Sequence, residues 1–493
     1  MRITRRLLEP NWTESSIAGR SPVRNEKARR RPSRIDSRAY AALVVLAGLS
    51  TLGAMTASCS SSSDGDPPPV NGGGDDAGTD ASADSAPPED VADAGIKDAT
   101  LVDATPLPIE CAAPSCAVAL TTTLPSSSSS REEGYCALLT DGTVACWGAN
   151  NAGQLGDPEI TLDSPVPVRV PGLSKITALD RTCAVDSDGA VWCWGRGPFL
   201  QSDTSATTVE TSPVQLSLPG PAIKVAVTPA VGCAVLRDKS VVCWGANGAL
   251  QIGADLPPSA ENELPRPIPL AAGAKDIALG SGGYFVAGTG TTFTIYENGT
   301  LLSWGQSPGV GRATPLTRDG RPTPVALDHV TMVATAGPEA CAVANGVGWC
   351  WGEAIVPNPS EQVDRNARAL PSAVDTPEPI TRIATTQSWR VTEKFTTHYE
   401  RHRWCATSVS GEVYCWGLNN AGQAGDGTKE PALGAVAVKG LPAPAAEVKV
   451  MPYSTCAILT NGKVYCWGNN ANGQLGAGLP KGSVLVPTEV KLP

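Results

Sequence analysis

The chain has 493 residues, a formal net charge of −10, an isoelectric point near 5.0 and only 5% aromatic residues. This acidity excludes a nucleic-acid-binding role, which needs a basic face. The three histidines leave little material for metal or acid–base chemistry, and fifteen cysteines without a Cys-x-x-Cys step point to disulfides in an oxidising compartment.

In chain order, residues 1–58 read as a signal peptide. The stretch 39–58, AYAALVVLAGLSTLGAMTAS, carries no charge and follows the basic run RRRPSR at 29–34 and Arg38. Its end, Thr-Ala-Ser-Cys59, resembles a bacterial lipoprotein signal, which implies lipidation of Cys59. Thr56 departs from that pattern, which usually has Leu there. The competing reading is an uncleaved membrane helix, since twenty apolar residues can span a bilayer. Both place the remainder outside the cytoplasm. Residues 1–58 hold eleven basic and four acidic side chains, a net +7, so removing them takes the charge from −10 to −17. Residues 59–110 are rich in Asp, Ala, Gly, Pro and Ser, and are expected to form a disordered acidic tether.

From residue 111 to 493 the chain repeats. Trp-Gly recurs at Trp147, Trp194, Trp244, Trp304, Trp351, Trp416 and Trp467, with gaps of 47, 50, 60, 47, 65 and 51 residues. Each copy holds four short runs of β-branched and small apolar residues, as in PVPVRV, KITALD, CAVDSDG and AVWCWG. Seven four-stranded antiparallel sheets are expected to stack radially into an all-β, seven-bladed propeller. The tryptophans, identical in every copy, are expected to pack between neighbouring sheets.

Cysteine spacing supports this register. Five pairs are ten apart: Cys136 with Cys146, Cys183 with Cys193, Cys233 with Cys243, Cys405 with Cys415, and Cys456 with Cys466. A sixth, Cys341 with Cys350, is nine apart. A three-residue turn at Asp141-Gly142 sets Cys136 opposite Cys146, at a narrow site about 4.5 Å between Cα atoms that suits a disulfide. The shorter spacing comes with Asn345-Gly346, the preferred two-residue turn, and again sets the cysteines opposite each other. The fourth copy has Phe293 and Ser303 at these positions and lacks both cysteines. Cys111 and Cys116 are expected to pair as the remainder.

The motif CWGxNxxGQLG, as in CWGANNAGQLG at 146–156, resembles the regulator of chromosome condensation repeat, a family of seven-bladed propellers. The resemblance covers residues 116 to 493, and the cysteines depart from its intracellular members. The ring is expected to close by strand exchange, with the C-terminal strand VLVPTEVKL at 484–492 completing the first blade. Eukaryotic partners such as chromatin and small GTPases do not suit an exported acidic protein.

Three copies lengthen the loop between their expected second and third strands, at 121–135, 280–291 and 385–404, and all three insertions are expected to decorate one face. The last gathers Trp389, Arg390, Phe395, Tyr399, Arg401, Arg403 and Trp404, residue types enriched in binding hot spots. Either this loop binds a partner or it folds down and packs its own aromatics. The pair His398 and His402 lacks a metalloprotease motif, His329 is isolated, and Asp186-Ser187-Asp188-Gly189 falls at a hairpin turn. No catalytic residue, metal or cofactor is expected. The reading is a monomeric, lipid-anchored extracytoplasmic module that binds a protein or surface ligand. Similar secreted bacterial propellers include a β-lactamase inhibitor, so blocking an exported enzyme is one form. The alternatives are a lyase or hydrolase acting on an extracellular substrate, or a structural envelope component.

Overall fold

A computed structural model describes residues 102–112, 115–124, 132–281, 290–352, 369–386, 389–393, 396–400 and 403–493, with backbone alone for 389–393 and 396–400. The expected signal peptide, Cys59, and the tether up to residue 101 lie outside the described residues.

Seven four-stranded antiparallel sheets form the blades, spanning residues 117–169, 176–215, 222–267, 276–324, 330–373, 380–437 and 445–489. Each is a meander in which chain neighbours pair. Blade 1, for example, runs through Ala117–Thr122, Gly134–Leu139, Val144–Gly148 and Ser164–Arg169. The first strands contact one another around the whole ring, including blade 1 with blade 7, so they surround the axis. The fourth strands are outermost. Prolines there, such as Pro165, Pro167, Pro265, Pro322 and Pro487, lack the N–H that a further strand would need, which guards the open edge.

The ring closes differently from the sequence expectation. The C-terminal strand Ser483–Glu489 pairs with Val464–Asn469 of its own blade, with Tyr465 opposite Glu489, and blade 1 takes its fourth strand from Ser164–Arg169. A periodic pattern fixes the repeat length but not its phase. The run PVPVRV therefore ends one blade rather than beginning the next. The glycine-rich tail after Trp-Gly is likewise a connection from third to fourth strand within a blade, although it packs on the following one.

The hairpin register is as expected. Cys136 faces Cys146, Cys183 faces Cys193, Cys233 faces Cys243, and Cys341 faces Cys350. Cys405 likewise faces Cys415, Cys456 faces Cys466, and in blade 4 Phe293 faces Ser303. Leu139 N donates to Thr143 O at 2.9 Å around the turn with Gly142 at φ 75°, and Asn345 and Gly346 both take positive φ. All six facing cysteine pairs are disulfides, with Cα separations of 4.0–4.1 Å, and Cys111 bonds Cys116. A chain with seven disulfides suits an oxidising, extracytoplasmic environment. Blade 4, without a bridge, turns Phe293 edge-on to Trp351 of blade 5, with ring centroids 5.7 Å apart.

The blades are joined through their tryptophans. The indole N–H of Trp147, Trp194, Trp244, Trp304, Trp351 and Trp467 donates to a backbone carbonyl in the preceding blade's third-to-fourth loop, at Gln474, Gln154, Pro198, Gln251, Gly309 and Gln423. All six rings are buried. In four blades the loop is shaped by its own Asn and Gln. Asn150 Oδ1 accepts from Leu155 N and Gln154 Oε1 from Ala152 N, and Asn247 with Gln251, Asn419 with Gln423 and Asn470 with Gln474 repeat this. The conspicuous polar motif thus builds the loop itself.

The end of the expected tether is not free. Ala104 is buried, and Ile109 packs against the cluster that joins blades 1 and 7. The Val, Leu and Ile of LVDATPLPIE at 101–110 are hidden in sequence by the acidic average of the longer segment. We predict that Gly476→Ala, whose Cβ would lie 2.8 Å from the Trp147 indole nitrogen at φ +65°, costs about 2–4 kcal/mol in denaturant unfolding. Gly427→Ala, at φ +85° with open space around it, should cost only about 1 kcal/mol.

Candidate functional site: the loop face

An antiparallel meander puts its first-to-second and third-to-fourth connections at one end, and its second-to-third turns at the other. The first end is the loop face. The three insertions, expected between second and third strands, instead interrupt first-to-second connections, between residues 122 and 134, 281 and 290, and 385 and 403, because each blade begins one strand later than the period suggested; they still open on one face, as expected.

The blade 6 insertion contains a hairpin of its own. Trp389–Glu393 pairs with Thr396–Glu400, with Trp389 opposite Glu400, Arg390 opposite Tyr399 and Val391 opposite His398. This two-stranded sheet joins no blade. Its base is clamped: Thr386 N donates to Arg403 O at 3.0 Å, and Arg403 N to Thr386 Oγ1 at 3.2 Å. Of the seven residues expected to bind a partner, Trp389, Arg390 and Tyr399 lie on this hairpin, while Phe395 and Arg401 fall outside the described residues. Trp404 is half-buried and stacks on Trp416, centroids 6.0 Å apart.

Arg403 is a correction. It is 1% exposed, and its guanidinium enters blade 7 instead of facing solvent. Nη1 donates to Met451 O at 2.6 Å and Ser454 O at 2.9 Å, while Nη2 donates to Gln423 O at 2.7 Å and to Thr455 Oγ1. A planar fork with five donors suits a pocket of carbonyls. Burial lowers its pKa to about 10, against the pull of nearby Tyr135 and Glu133. The residue types at 385–404 could not show that one of the arginines points inward.

A second anchor enters blade 7 from the other side. Glu133, at the end of the blade 1 insertion, is 1% exposed. Its Oε1 accepts from Tyr453 N at 2.6 Å, and its Oε2 from Ser454 Oγ at 2.6 Å and Gln474 Nε2 at 3.2 Å. Tyr135 OH lies 2.9 Å from the same Ser454 hydroxyl. Burial raises the Glu133 pKa, opposed by its bonds to Ser454, Tyr453 and Gln474 and by the Arg403 charge. Burial chiefly, and then the Glu133 charge, raise the Tyr135 phenol. Sequence reasoning missed Glu133 because its partners lie about 320 residues away. Blade 7 thus holds the ends of both flanking insertions.

Along the axis, the described first strands contribute Asp180, Asp276 and Glu447 together with Lys224, Arg382 and Lys449. Glu447 and Lys449 form an ion pair at 2.9 Å. Burial raises the Asp180 pKa, while Arg181 and the Val227 N–H oppose it. Among the described residues no three or more His, Cys, Asp or Glu cluster as metal ligands, and no helix is long and apolar enough to cross a membrane.

The anchors make two expectations measurable. Arg403→Met should cost about 3–5 kcal/mol in unfolding, because it strips a buried charge from carbonyls and from Glu133. For Glu133, a folded pKa raised above the unfolded value near 4.5 means stability present below that pH and lost as pH rises through the folded pKa. The wild type's advantage over Glu133→Gln should therefore shrink from about pH 4 upward in urea titrations run at a series of pH values; an advantage that grows with pH would contradict this assignment.

Family models of the Regulator of chromosome condensation (RCC1) repeat match residues 141–186 and 452–474. Among solved structures, human WBSCR16 is similar at 18% identity over 71% of this chain and 94% of that chain, with a TM-score of 0.57. Yeast RCC1 (Prp20) bound to Kap60 gives 19%, 70% and 83%, with a TM-score of 0.53. Prp20p from Saccharomyces cerevisiae, described with its binding to Gsp1p and histones, gives 18%, 75% and 87%, with a TM-score of 0.54. At these identities the likeness is one of fold. The chain is a seven-bladed propeller in which six inter-blade tryptophan contacts are described, and two of its segments match the regulator of chromosome condensation repeat.

Proposed function

We propose that the chain is an exported, lipid-anchored binding module that holds an extracytoplasmic protein on its loop face, with the 389–400 hairpin as the principal contact. The observation that carries this reading is a two-stranded ribbon that pairs with no blade, set on a clamped base. An isolated hairpin is marginally stable in water, so a partner that packs on it would supply the missing face. Rigid frames that carry functional loops are a common way to present such contacts. Trp389, Arg390, Phe395, Tyr399 and Arg401 are the proposed contact residues; Arg403 holds the base in place.

Export rests on the signal-like segment before Cys59 and agrees with the seven disulfides. The relatives whose structures were solved with, or described by, protein partners favour a protein over a small substrate. Capture of an exported enzyme would make this module an inhibitor.

The test is a pull-down from the native envelope with residues 94–493, beside the same head with 387–402 replaced by a short Gly-Ser link that keeps Thr386 and Arg403. A protein retained by the first and lost by the second is the expected result. Retention by both would move the site elsewhere on the ring, and recovery of no protein by either would sink the binding reading.

A further inference from the structure

The seven blade junctions are alike in one backbone bond. An amide at the start of each blade donates to a turn carbonyl of the blade before: Ile176 to Gly142, Ala222 to Gly189, Gly273 to Lys239, Val330 to Gly299, Ile380 to Gly346, Ala445 to Gly411 and Ala117 to Gly462, all at 2.8–3.0 Å. At the first six junctions the peptide chain itself runs from one blade's outer strand to the next blade's inner strand. Between blades 7 and 1 it does not, because the C-terminal strand stays in blade 7.

The described residues 102–112 and 115–116 take the place of that connector. They follow the turn face across blades 5, 6 and 7. Val102 lies beside Gly346, Leu107 beside Gly411, and Glu110 N donates to Thr460 O at 2.7 Å. Cys116 then occupies the seam. Its sulfur fills the space that a Cβ on Gly462 would need, and its carbonyl accepts from Thr140 N of blade 1 at 3.0 Å. Ile109 of the strap and Leu492 of the C-terminus pack on the same blade 7–blade 1 cluster, and Ser115 Oγ donates to Pro493 O at 3.0 Å.

We propose that Cys111–Cys116 is a reducible clasp that fixes this strap and so locks the ring at its one junction without a peptide connector. Its two cysteines differ in exposure: Cys116 is 2% exposed, whereas Cys111 is exposed to solvent. Both cysteines are buried in five of the six hairpin bridges, and in the sixth Cys350 is half-buried beside buried Cys341. Thiol–disulfide exchange requires access to a sulfur, so an external dithiol reaches Cys111 first. Its thiolate attacks Cys111 Sγ and releases Cys116 as a thiol. Its second thiol then resolves the mixed disulfide, which leaves two protein thiols and one oxidised dithiol. The local loop between Cys111 and Cys116 is thereby opened, and the strap loses the constraint that holds Glu110 on blade 7 while Cys116 sits in the seam.

The test uses the intact oxidised protein and dithiothreitol, with thiols trapped by alkylation and located by mass spectrometry. Cys111 and Cys116 should be alkylated before any hairpin cysteine. At that stage amide exchange in 117–124 and 445–489 should accelerate by at least about tenfold, while 222–267 keeps its protection. The double variant Cys111→Ser with Cys116→Ser should reproduce that pattern without reductant, and Cys233→Ser with Cys243→Ser should not. Simultaneous alkylation of all pairs, or a seam whose exchange is unchanged after selective reduction, would overturn the clasp. The reduction experiment uses the native chain, so it tests the clasp even where a variant folds poorly.

Discussion

Everything in this molecule depends on one contact between blades: an indole N–H donated to a backbone carbonyl of the blade before. The bond is buried, its donor has one direction, and its acceptor sits at a fixed point of a loop shaped by Asn and Gln. Six such contacts set the angle between neighbouring sheets, and repetition of one angle gives a ring. The glycines of the loop serve the same contact. Gly156, Gly311, Gly425 and Gly476 take positive φ, and a Cβ on any of them would strike a tryptophan. The polar and glycine-rich motif that looks ready for a ligand is therefore the receptacle for a side chain of the same protein.

The disulfides act within blades and the tryptophans between them. Each hairpin bridge joins the second and third strands of one sheet and leaves the sheet-to-sheet angle untouched. Blade 4 shows the exchange of one device for the other: without a bridge, it fills the position with Phe293, which turns toward Trp351 of the next blade. Cys111–Cys116 stands apart, since it links no two strands of a blade and lies where the ring has its ends.

Function follows from how a rigid ring displays irregular segments. Blade 7 receives a buried glutamate from one side and a buried arginine from the other, and each ends an insertion on the loop face. The anchors hold those insertions to the frame, while the hairpin at 389–400 keeps its own pairing. Such an arrangement suits recognition of a protein surface. The axis, in contrast, carries acids matched by cations on the described first strands.

The blade count, the hairpin registers and six of the disulfides were legible in the amino acids alone, because these features are local. A turn type sets which residues lie opposite, and a spacing of nine or ten follows from it. The face on which the insertions open was legible too, since alternation in a meander decides that. Other features needed the folded ring. The phase of the repeat, and with it the closure of the ring, depends on which neighbour a strand pairs with, and period alone is silent on that. Arg403 and Trp404 looked like surface residues among other aromatic and basic ones, yet Arg403 is committed to carbonyls of the next blade. Glu133 had no local signal at all. Its meaning comes from Tyr453, Ser454 and Gln474, which only the closing of the ring brings within hydrogen-bond reach.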